Sequence, residues 1–419
     1  MPLPSNSLQN VQTYQMSGLA FLQNLCCFVA TSNTRFKNFQ DFTGQLGATV
    51  GYELPPRYTT VNSLVASFES SVQRVRTLTL DQQISTSYAF NSQQLLLNVE
   101  DYMERFGKGA IRELGTKIES NIAEVCVTPY RFYGNGVIPI NSYNQLAQAL
   151  AQFREFGVAP GMCKGYLSNL AVPAIIANGL NQFAPSRNDK DAMSWEIGMF
   201  DMCDWYRSNL LPVHTAGVMG DSATVANHTF TVVSTTTNAD GGVTGIVASI
   251  GGAPGAVTNA VRLNDKFQFN DGVSGLTNLR FRTFVGHEVC GLPVQFRATA
   301  AADSTAGSQI TLAIDPPLQA ASGKNQNINT TIVANMTFDV LPSHRAGLIT
   351  AGDPLYIAMP RLPDQPPFLT GNAVDDTTGV SIRQTYGTLF GQNEQGFVHD
   401  CLFGKDLATD YAMSLIFPL

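Results

Sequence analysis

Histidine and cysteine are the residues of this 419-residue chain best suited to hold a metal ion or to act as nucleophiles. The histidines are His214, His228, His287, His344 and His399, and no two of them are four residues apart. His287 begins the run His-Glu-Val-Cys-Gly, which starts like the zinc-binding H-E-x-x-H motif but lacks its second histidine. The sequence therefore predicts no metal site.

The cysteines are scattered along the chain and form no C-x-x-C pair. They are Cys26, Cys27, Cys126, Cys163, Cys203, Cys290 and Cys401. An odd, scattered set is typical of reduced, buried thiols in a cytosolic protein rather than of a disulfide framework. Cys163 and Cys290 have the chemistry of nucleophiles, but the sequence indicates no base near either. We therefore expect both to be packed as small apolar side chains.

Phosphate-binding and catalytic motifs are also incomplete. Gly323-Lys-Asn and Gly404-Lys-Asp lack the upstream glycine and the Ser or Thr of a phosphate loop, and Gly134-Asn-Gly indicates a turn. The remaining candidate acids, which lie in a Pro- and Gly-rich stretch and are expected to be solvated, are Asp364, Asp375 and Asp376. We predict no catalytic, cofactor-binding or metal-ligating residue, no cofactor and no enzymatic activity.

Charge is scarce in this chain. Charged residues make up 14% of it, against about 25% in an average globular protein. Apolar residues, at 44%, are enough to form a core. A net charge of −7 and a pI near 5.2 argue against a dedicated nucleic-acid-binding protein. We expect either a neutral polar surface or a surface that partner subunits largely cover.

No membrane or secretion segment is predicted. No window reaches the roughly 18 consecutive apolar residues of a membrane span, because Gln23 and Asn24 interrupt the apolar stretch 19–30. No Lys or Arg precedes Arg35, so the positively charged start of a signal peptide is missing. Both observations favour a protein that neither enters a membrane nor is secreted.

The clearest helical pattern covers residues 96–126. Apolar residues recur there every three or four positions, as on one face of an amphipathic helix. They are Met103, Phe106, Ala110, Leu114, Ile118, Ile122 and Val125. The opposite face is predicted to carry Glu104, Arg105, Lys108, Arg112, Glu113, Lys117, Glu119 and Glu124. At roughly seven turns this helix would exceed the usual length and suggests the spine of an extended molecule.

The chain before this helix has weaker patterns. Residues 1–45 are polar and Asn/Gln-rich, and we predict an arm rather than part of a compact core. Residues 46–66 are predicted to be an extended loop or hairpin, since Pro55 and Pro56 exclude a central strand. The alternation over residues 75–90 predicts strands.

Further elements are predicted after the helix. Ser142 and Gln145 form a capping-box pattern, which predicts that a helix starts there. Another helix is predicted over residues 169–180, with Pro173 in its first turn. Strands are predicted at residues 165–168, 354–360, 381–386 and 411–417.

Helical periodicity disappears between about residues 216 and 342, where Gly, Thr, Val, Ala and Asn predominate. Short strand-like runs alternate there with turn signals, one of them Asp315-Pro-Pro, as in a β-barrel or sandwich. The predicted strands are 228–237, 244–250, 265–269, 293–299, 308–314 and 335–341. Since mixed α and β patterns return afterwards, we predict an inserted all-β barrel domain.

Residues 196–214, Glu-Ile-Gly-Met-Phe-Asp-Met-Cys-Asp-Trp-Tyr-Arg-Ser-Asn-Leu-Leu-Pro-Val-His, resemble a segment of tailed-phage major capsid (coat) proteins. That segment precedes the inserted domain in the coat proteins of short-tailed enterobacterial podoviruses. Residues 331–340 resemble the point at which that family leaves the insertion. The resemblance implies an α+β fold, the tailed-phage major-capsid fold. Its parts are an N-terminal arm, an extended loop, a long spine helix, peripheral and axial domains, and an inserted all-β barrel.

The resemblance implies a division of the chain and a function. Residues 1–45 would be the N-terminal arm, 46–215 and 343–419 the capsid core, and 216–342 the inserted barrel. The implied function is a major capsid protein that self-assembles into an icosahedral phage shell enclosing double-stranded DNA. The implied partners are copies of the chain in hexamers and pentamers, a scaffolding protein, a portal protein, and DNA bound without sequence specificity. The implied location is the virion, after assembly in the host cytoplasm, with no membrane partner.

Some relatives in the wider capsid fold cross-link their subunits through a lysine of the extended loop. No lysine lies between Lys37 and Lys108 here, so the shell would be held noncovalently. Two alternatives stay open. A secreted β-rich binding or adhesin protein is favoured by the Thr-, Asn- and Gly-rich middle of the chain. A capsid-fold shell of a cellular nanocompartment is the other, although such shells usually lack a large inserted domain.

Overall fold

The computed structural model describes residues 27–33, 49–58, 74–91, 108–158, 161–175, 196–270, 278–366, 368–374, 380–388 and 394–419. The chain divides into two compact units. The first comprises Met1–Glu53, Val75–Val125 and Asp353–Leu407, and the second comprises Leu54–Arg74, Cys126–Gly352 and Ala408–Leu419. Each unit is thus assembled from stretches that are distant in sequence.

The described helices are α1 (Cys27–Thr31), α2 (Lys108–Ala123), α3 (Tyr143–Glu155) and α4 (Val172–Ile175). The described strands are β1 (Thr49–Leu54), β2 (Arg74–Asn91), β3 (Phe132–Tyr133), β4 (Cys163–Ser168), β5 (Glu196–Phe200), β6 (Cys203–Ser208), β7 (Val213–His214), β8 (Thr229–Thr237), β9 (Val243–Ile250), β10 (Val257–Val261), β11 (Lys266–Phe269), β12 (Arg280–Arg282), β13 (Val289–Pro293), β14 (Gln295–Ala298), β15 (Ala302–Ser304), β16 (Gln309–Leu318), β17 (Thr337–Val340), β18 (His344–Ala351), β19 (Leu355–Ala358), β20 (Leu369–Val374), β21 (Ser381–Thr388), β22 (Glu394–Leu407) and β23 (Ala412–Phe417).

Helix α2 is the core helix of the first unit. The predicted apolar stripe is buried, with Leu114, Ile118 and Ile122 each 0% exposed. The helix passes into a 3₁₀ turn at Glu124–Val127, and the predicted residues 96–107 lie outside the described part. Helix α1 packs on α2, so residues 27–31 of the predicted arm belong to the buried core of this unit.

Glu119 was predicted on the solvent-facing side of α2, and this is wrong. Its residue is 1% exposed, and its carboxylate accepts hydrogen bonds from the backbone N–H groups of Phe28 (2.6 Å) and Val29 (3.4 Å). The first N–H groups of any helix lack partners within the helix. Glu119 supplies these partners for α1, which draws the carboxylate inward despite its charge.

The sheet of the first unit has the strand order β1-β2-β22-β21-β20, with β19 also paired to β22. The predicted strands over 75–90 form one 18-residue strand, β2, antiparallel to β22. Gly404 of β22 lies where the register shifts, and a Cβ there would be 2.3 Å from the carbonyl oxygen of Thr79. The long ribbon therefore requires glycine at this position.

The sheet of the second unit has the order β3-β23-β18-β4-β6-β5, with β7 also paired to β18. Helix α3 starts as its capping box predicts, because the Ser142 hydroxyl accepts from the N–H of Gln145 (3.4 Å). The Gln145 side chain in turn accepts from the N–H of Asn141 (2.8 Å). Only Val172–Ile175 of the second predicted helix is described as helical, and residues 176–195 lie outside the described part.

The predicted all-β region contains a closed six-stranded barrel of order β11-β14-β16-β9-β8-β17, closed by pairing between β17 and β11. These are the six predicted strands, so an α+β fold with a barrel is confirmed. The barrel core combines aliphatic side chains with a cluster of buried aromatic rings, which are Phe230, Phe267, Phe269, Phe296 and Phe338. The predicted turn Asp315-Pro-Pro is wrong, since β16 continues to Leu318 through a register shift.

The barrel leaves and rejoins the sheet at adjacent residues. His214, the last residue of β7, pairs with His344, the first of β18. His214 Nε2 lies 2.7 Å from Asp265 Oδ1, and the second carboxylate oxygen of Asp265 accepts from the N–H groups of Gly217 (3.0 Å) and Arg262 (2.7 Å). Asp265 therefore ties the root of the barrel to the sheet.

Candidate functional site

Two arginines flank residues 59–73 and share one carboxylate of the second unit. Arg57 Nη2 and Arg74 Nη2 lie 2.9 Å and 2.7 Å from Asp410 Oδ2. The Asp410 side chain is 16% exposed, and burial alone would raise its pKa. The charges of Arg57 and Arg74 outweigh burial and hold the pKa of Asp410 below its usual value, so the carboxylate is ionised at neutral pH.

A second carboxylate makes the corresponding contacts within the first unit. Asp406 accepts a hydrogen bond from the hydroxyl of Tyr52 (2.6 Å). It also accepts two from Arg76, through Nε and Nη2 at 3.1 Å each. Burial, followed by the bond to Asp406, raises the pKa of Tyr52, which stacks on Tyr356 at 4.1 Å between ring centroids. Tyr52 therefore remains a hydrogen-bond donor at any physiological pH.

The two carboxylates define two separate clusters, one in each unit, which we together call the double clamp: Asp410 with Arg57 and Arg74 in the second unit, and Asp406 with Tyr52 and Arg76 in the first. The clamped residues stand on both sides of the 59–73 segment in the chain. Bidentate and shared arginine–carboxylate contacts are directional as well as strong. Each half of the double clamp therefore holds its arginines in defined positions within its own unit.

Arg131 supports Asp410 from the interior of the second unit. It is 0% exposed, and its Nη2 donates to the backbone carbonyl of Asp410. Its guanidinium lies 4.6–5.6 Å from four aromatic ring centroids, a cation–π environment. The rings belong to Tyr130, Phe153, Phe156 and Phe284. Burial lowers the pKa of Arg131, and the nearby Tyr130 and Asp410 partly compensate.

Of the residues in the motifs that suggested chemistry, Asp406 belongs to the double clamp and the others lie outside it. Cys163 and Cys290 are 2% exposed, and burial raises the pKa of both thiols, so they are protonated at neutral pH. His287 has its Nδ1 3.1 Å from the carbonyl oxygen of Gln326. Lys405, from the incomplete phosphate motif, forms an ion pair with Glu124 at 2.7 Å.

Of the three acidic candidates, the one in the described part of the chain has a hydrogen-bond partner. Asp364 accepts a hydrogen bond from the side-chain amide of Asn372 (2.9 Å), whereas Asp375 and Asp376 lie outside the described residues. Within the described ranges, no group of three His, Cys, Asp or Glu residues is placed to hold a metal ion. No helix in the same ranges is long and apolar enough to cross a membrane.

The sequence analysis did not find the double clamp. Asp406 and Asp410 are 354 and 353 residues away from Tyr52 and Arg57, respectively. No local pattern marks such a pair. The available signal was weak: two acids four residues apart near residue 410, and three arginines close to the two ends of residues 59–73.

No protein-family model matches this sequence, and no curated protein matches it significantly. Among solved structures, the chain is similar to one from Mycobacterium phage Che8, with 8% identity, a TM-score of 0.45, and coverage of 93% of this chain and 90% of that one. The chain is also similar to the capsid of Ralstonia phage GP4, with 8% identity, a TM-score of 0.44, and coverage of 94% of this chain and 91% of that one. A third similar structure is a virus-like particle from Pyrococcus furiosus, with 6% identity, a TM-score of 0.38, and coverage of 97% of this chain and 98% of that one. One of these structures is from a phage, one is a phage capsid and one is a virus-like particle, but scores this low leave the functional argument to the chain's own residues.

Proposed function

We propose that this chain is a major capsid protein that self-assembles into the icosahedral shell of a tailed phage and encloses double-stranded DNA. The resemblance of residues 196–214 to coat proteins of short-tailed enterobacterial phages supports the proposal. The charge content of 14% supports it as well, because the centres of protein–protein interfaces are depleted of charged residues.

The observation that carries the proposal is the double clamp. Asp410 holds Arg57 and Arg74, which stand in the sequence on the two sides of residues 59–73, a stretch that contains one charged residue, Glu69. A shell subunit needs segments that bury area on neighbouring subunits, and such a segment binds well only if its direction is set in advance. Asp410 sets the positions of Arg57 and Arg74 in this way from within the subunit.

The remaining assignments follow from the proposal. Residues 1–45 are the arm, 46–215 and 343–419 the capsid core, and 216–342 the inserted domain. The partners are further copies of the chain in hexamers and pentamers, a scaffolding protein, a portal protein, and packaged DNA held without sequence specificity. Assembly takes place in the host cytoplasm, and the product is the virion.

A structural rather than catalytic role fits the thiol chemistry. Burial raises the pKa of Cys163, Cys203, Cys290 and Cys401, in the last case to about 12. A thiol with such a pKa is not a nucleophile near neutral pH. With no lysine between Lys37 and Lys108, the subunits would be joined by noncovalent contacts alone.

The test is electron microscopy of the purified chain over a concentration series, for the natural sequence and for Asp410→Asn. The natural chain is expected to form closed shells, curved sheets or tubes. Asp410→Asn removes the charge that Arg57 and Arg74 share. We expect about tenfold fewer closed particles, the change that about 1.4 kcal/mol produces.

Asp240→Asn is the matched control, because Asp240 is exposed in a turn between β8 and β9. It should assemble like the natural chain. A natural chain that stays monomeric at every concentration would contradict the proposed function. Equal assembly by Asp410→Asn would show that the double clamp is irrelevant to it.

A further inference from the structure

A hairpin within residues 216–342 ends beside Arg57. Strands β12 and β13 form it (280–293), and its tip is residues 283–288. The N–H of Thr283 donates to the carbonyl of Glu288 (2.9 Å), and the Thr283 hydroxyl accepts from the N–H of Glu288 (3.1 Å). These bonds close the tip on itself and give it a defined shape.

The root of this hairpin is held on two sides. The ring of Phe281, 3% exposed, packs edge-on against Phe156 at 5.0 Å between centroids, just after helix α3 ends. The N–H of Arg282 donates to the carbonyl of Asn327 (2.8 Å). The thiol of Cys290 donates to the carbonyl of Phe281 (3.2 Å). The hairpin is therefore fixed both to the end of α3 and to the strand-rich region it comes from.

Phe284, in the tip, connects the hairpin to the double clamp. Its N–H donates to the carbonyl of Phe156 (3.2 Å), which fixes its backbone. The guanidinium carbon of Arg57 lies 4.6 Å from the centre of its ring, and that of Arg131 lies 5.1 Å from it. One aromatic ring thus contacts two cations, both of which also contact Asp410.

Arg57 consequently has two directional partners. Its Nη2 bonds to the carboxylate of Asp410, and its planar group lies on the ring of Phe284. A long side chain with one partner can rotate about it, whereas two partners at different positions select one conformer. Asp410 therefore anchors the guanidinium of Arg57, and Phe284 orients its plane.

We propose that the 280–293 hairpin is a brace and that Phe284 is a positioning residue, which together hold Arg57 and the described chain at residues 54–58 in one conformation. This inference rests on the proposed function, in which residues 46–66 are the loop of a shell subunit that contacts neighbouring subunits. It assigns to residues 216–342 a role in steering assembly, beyond the stability of their own barrel.

The test compares three variants. Phe284→Leu keeps an apolar side chain but removes the aromatic face, and Phe284→Tyr keeps the face. Val285→Ala changes the neighbouring residue, which is 77% exposed and serves as the matched control. Hydrogen exchange is measured in the unassembled subunit for residues 49–58 and 74–80, and shell diameters are measured by electron microscopy.

Phe284→Leu should exchange about fivefold faster at residues 49–58 and 74–80, the scale of one lost cation–π contact. Its shells should have a broader distribution of diameters. Phe284→Tyr and Val285→Ala should behave like the natural chain in both measurements. If hydrogen exchange in Phe284→Leu becomes equally fast throughout the barrel strands, Phe284 has a merely structural role, and the proposal is overturned.

Unchanged exchange in Phe284→Leu, or equal damage in Phe284→Tyr, would also overturn it. The exchange measurement needs no assembly, so it separates the two proposals. If no variant and not even the natural chain forms shells, the proposed function fails. The effect of Phe284 on residues 49–58 and 74–80 would still be decided by the exchange rates.

Discussion

The two units differ in how they accommodate buried charge. In the first, Arg383 and Asp400 are 5% and 7% exposed and form a two-point ion pair, with Arg383 Nε 3.0 Å from Asp400 Oδ1 and a second contact through Nη2. Arg383 also donates to the carbonyl of Pro363 (2.6 Å). Asp400 therefore balances the charge of the Arg383 guanidinium, and the carbonyl of Pro363 accepts a further hydrogen bond from it.

In the second unit, Lys266 is buried without such a match. It is 0% exposed, and its Nζ has no hydrogen-bond partner in the described structure. Burial, followed by the charge of Arg297, lowers the pKa of Lys266 well below its ordinary value. Burial, followed by the charge of Lys266, lowers the pKa of His344 to about 3.

This difference means that the same kind of substitution has opposite effects in the two units. Removing one member of a matched buried pair leaves the other charge without a partner, which destabilises a protein. Removing a buried cation that has no partner takes away a group whose burial was already unfavourable. Trp205 lies in β6 of the second unit and is 2% exposed, so its fluorescence reports on the unfolding of that unit.

The largest expected effect is in the first unit. Asp400→Asn should lower the free energy of unfolding by about 3–5 kcal/mol, because it leaves the buried Arg383 charge uncompensated. Urea unfolding followed by hydrogen exchange in residues 381–388 and 394–407 measures it. The double variant Arg383→Met/Asp400→Leu removes both charges and should recover most of the loss. A double variant as unstable as the single one would show that packing, not charge, is responsible.

A smaller effect of opposite sign is expected in the second unit. Lys266→Met keeps the length of the side chain and removes the ammonium, so it should raise the free energy of unfolding by about 1–3 kcal/mol. Urea unfolding followed by tryptophan fluorescence measures this change. Arg262→Met, which removes an exposed cation of the same unit, is the control and should change stability little. A loss of stability in Lys266→Met would reverse the comparison between the units.

The smallest expected effect depends on pH. Burial raises the pKa of Glu119 to about 7, although its bonds to the Phe28 and Val29 N–H groups oppose this. The folded state then binds a proton that the unfolded state releases between about pH 4.5 and 7, so stability falls as pH rises through that window. Glu119→Gln should abolish this fall and be more stable than the natural chain at pH 8, by about 1–3 kcal/mol. Hydrogen exchange in residues 108–123 at pH 4, 6 and 8 checks it, and parallel pH profiles for both proteins would contradict it.

The barrel could be predicted from sequence because its determinants are local. Phe230 and Val232 of β8, and Phe267 and Phe269 of β11, are buried at alternate positions, as period-two patterning requires. The capping box at Ser142 was equally predictable from the sequence, since its donor and acceptor are three residues apart. In both cases one short window contains all the interacting groups.

The double clamp and Glu119 could not be predicted because their partners are remote. Glu119 lies one turn after the buried Gly115, and its sequence neighbours give no sign that α1 will pack there, 90 residues away along the chain. Asp406 was weighed only as part of an incomplete phosphate motif. Polar contacts between distant segments follow from the tertiary fold and leave no periodic trace in the sequence.

The root of the barrel has a practical consequence for engineering. Since His214 and His344 are paired across adjacent strands, the two ends of the intervening chain are about 5 Å apart. A foreign domain whose own termini lie close together can be grafted there by gene fusion without long linkers. The graft must replace Asp265 as the partner of His214, or change that histidine, because the bond between them crosses the junction. Each subunit would then display one copy of the grafted domain at a defined position.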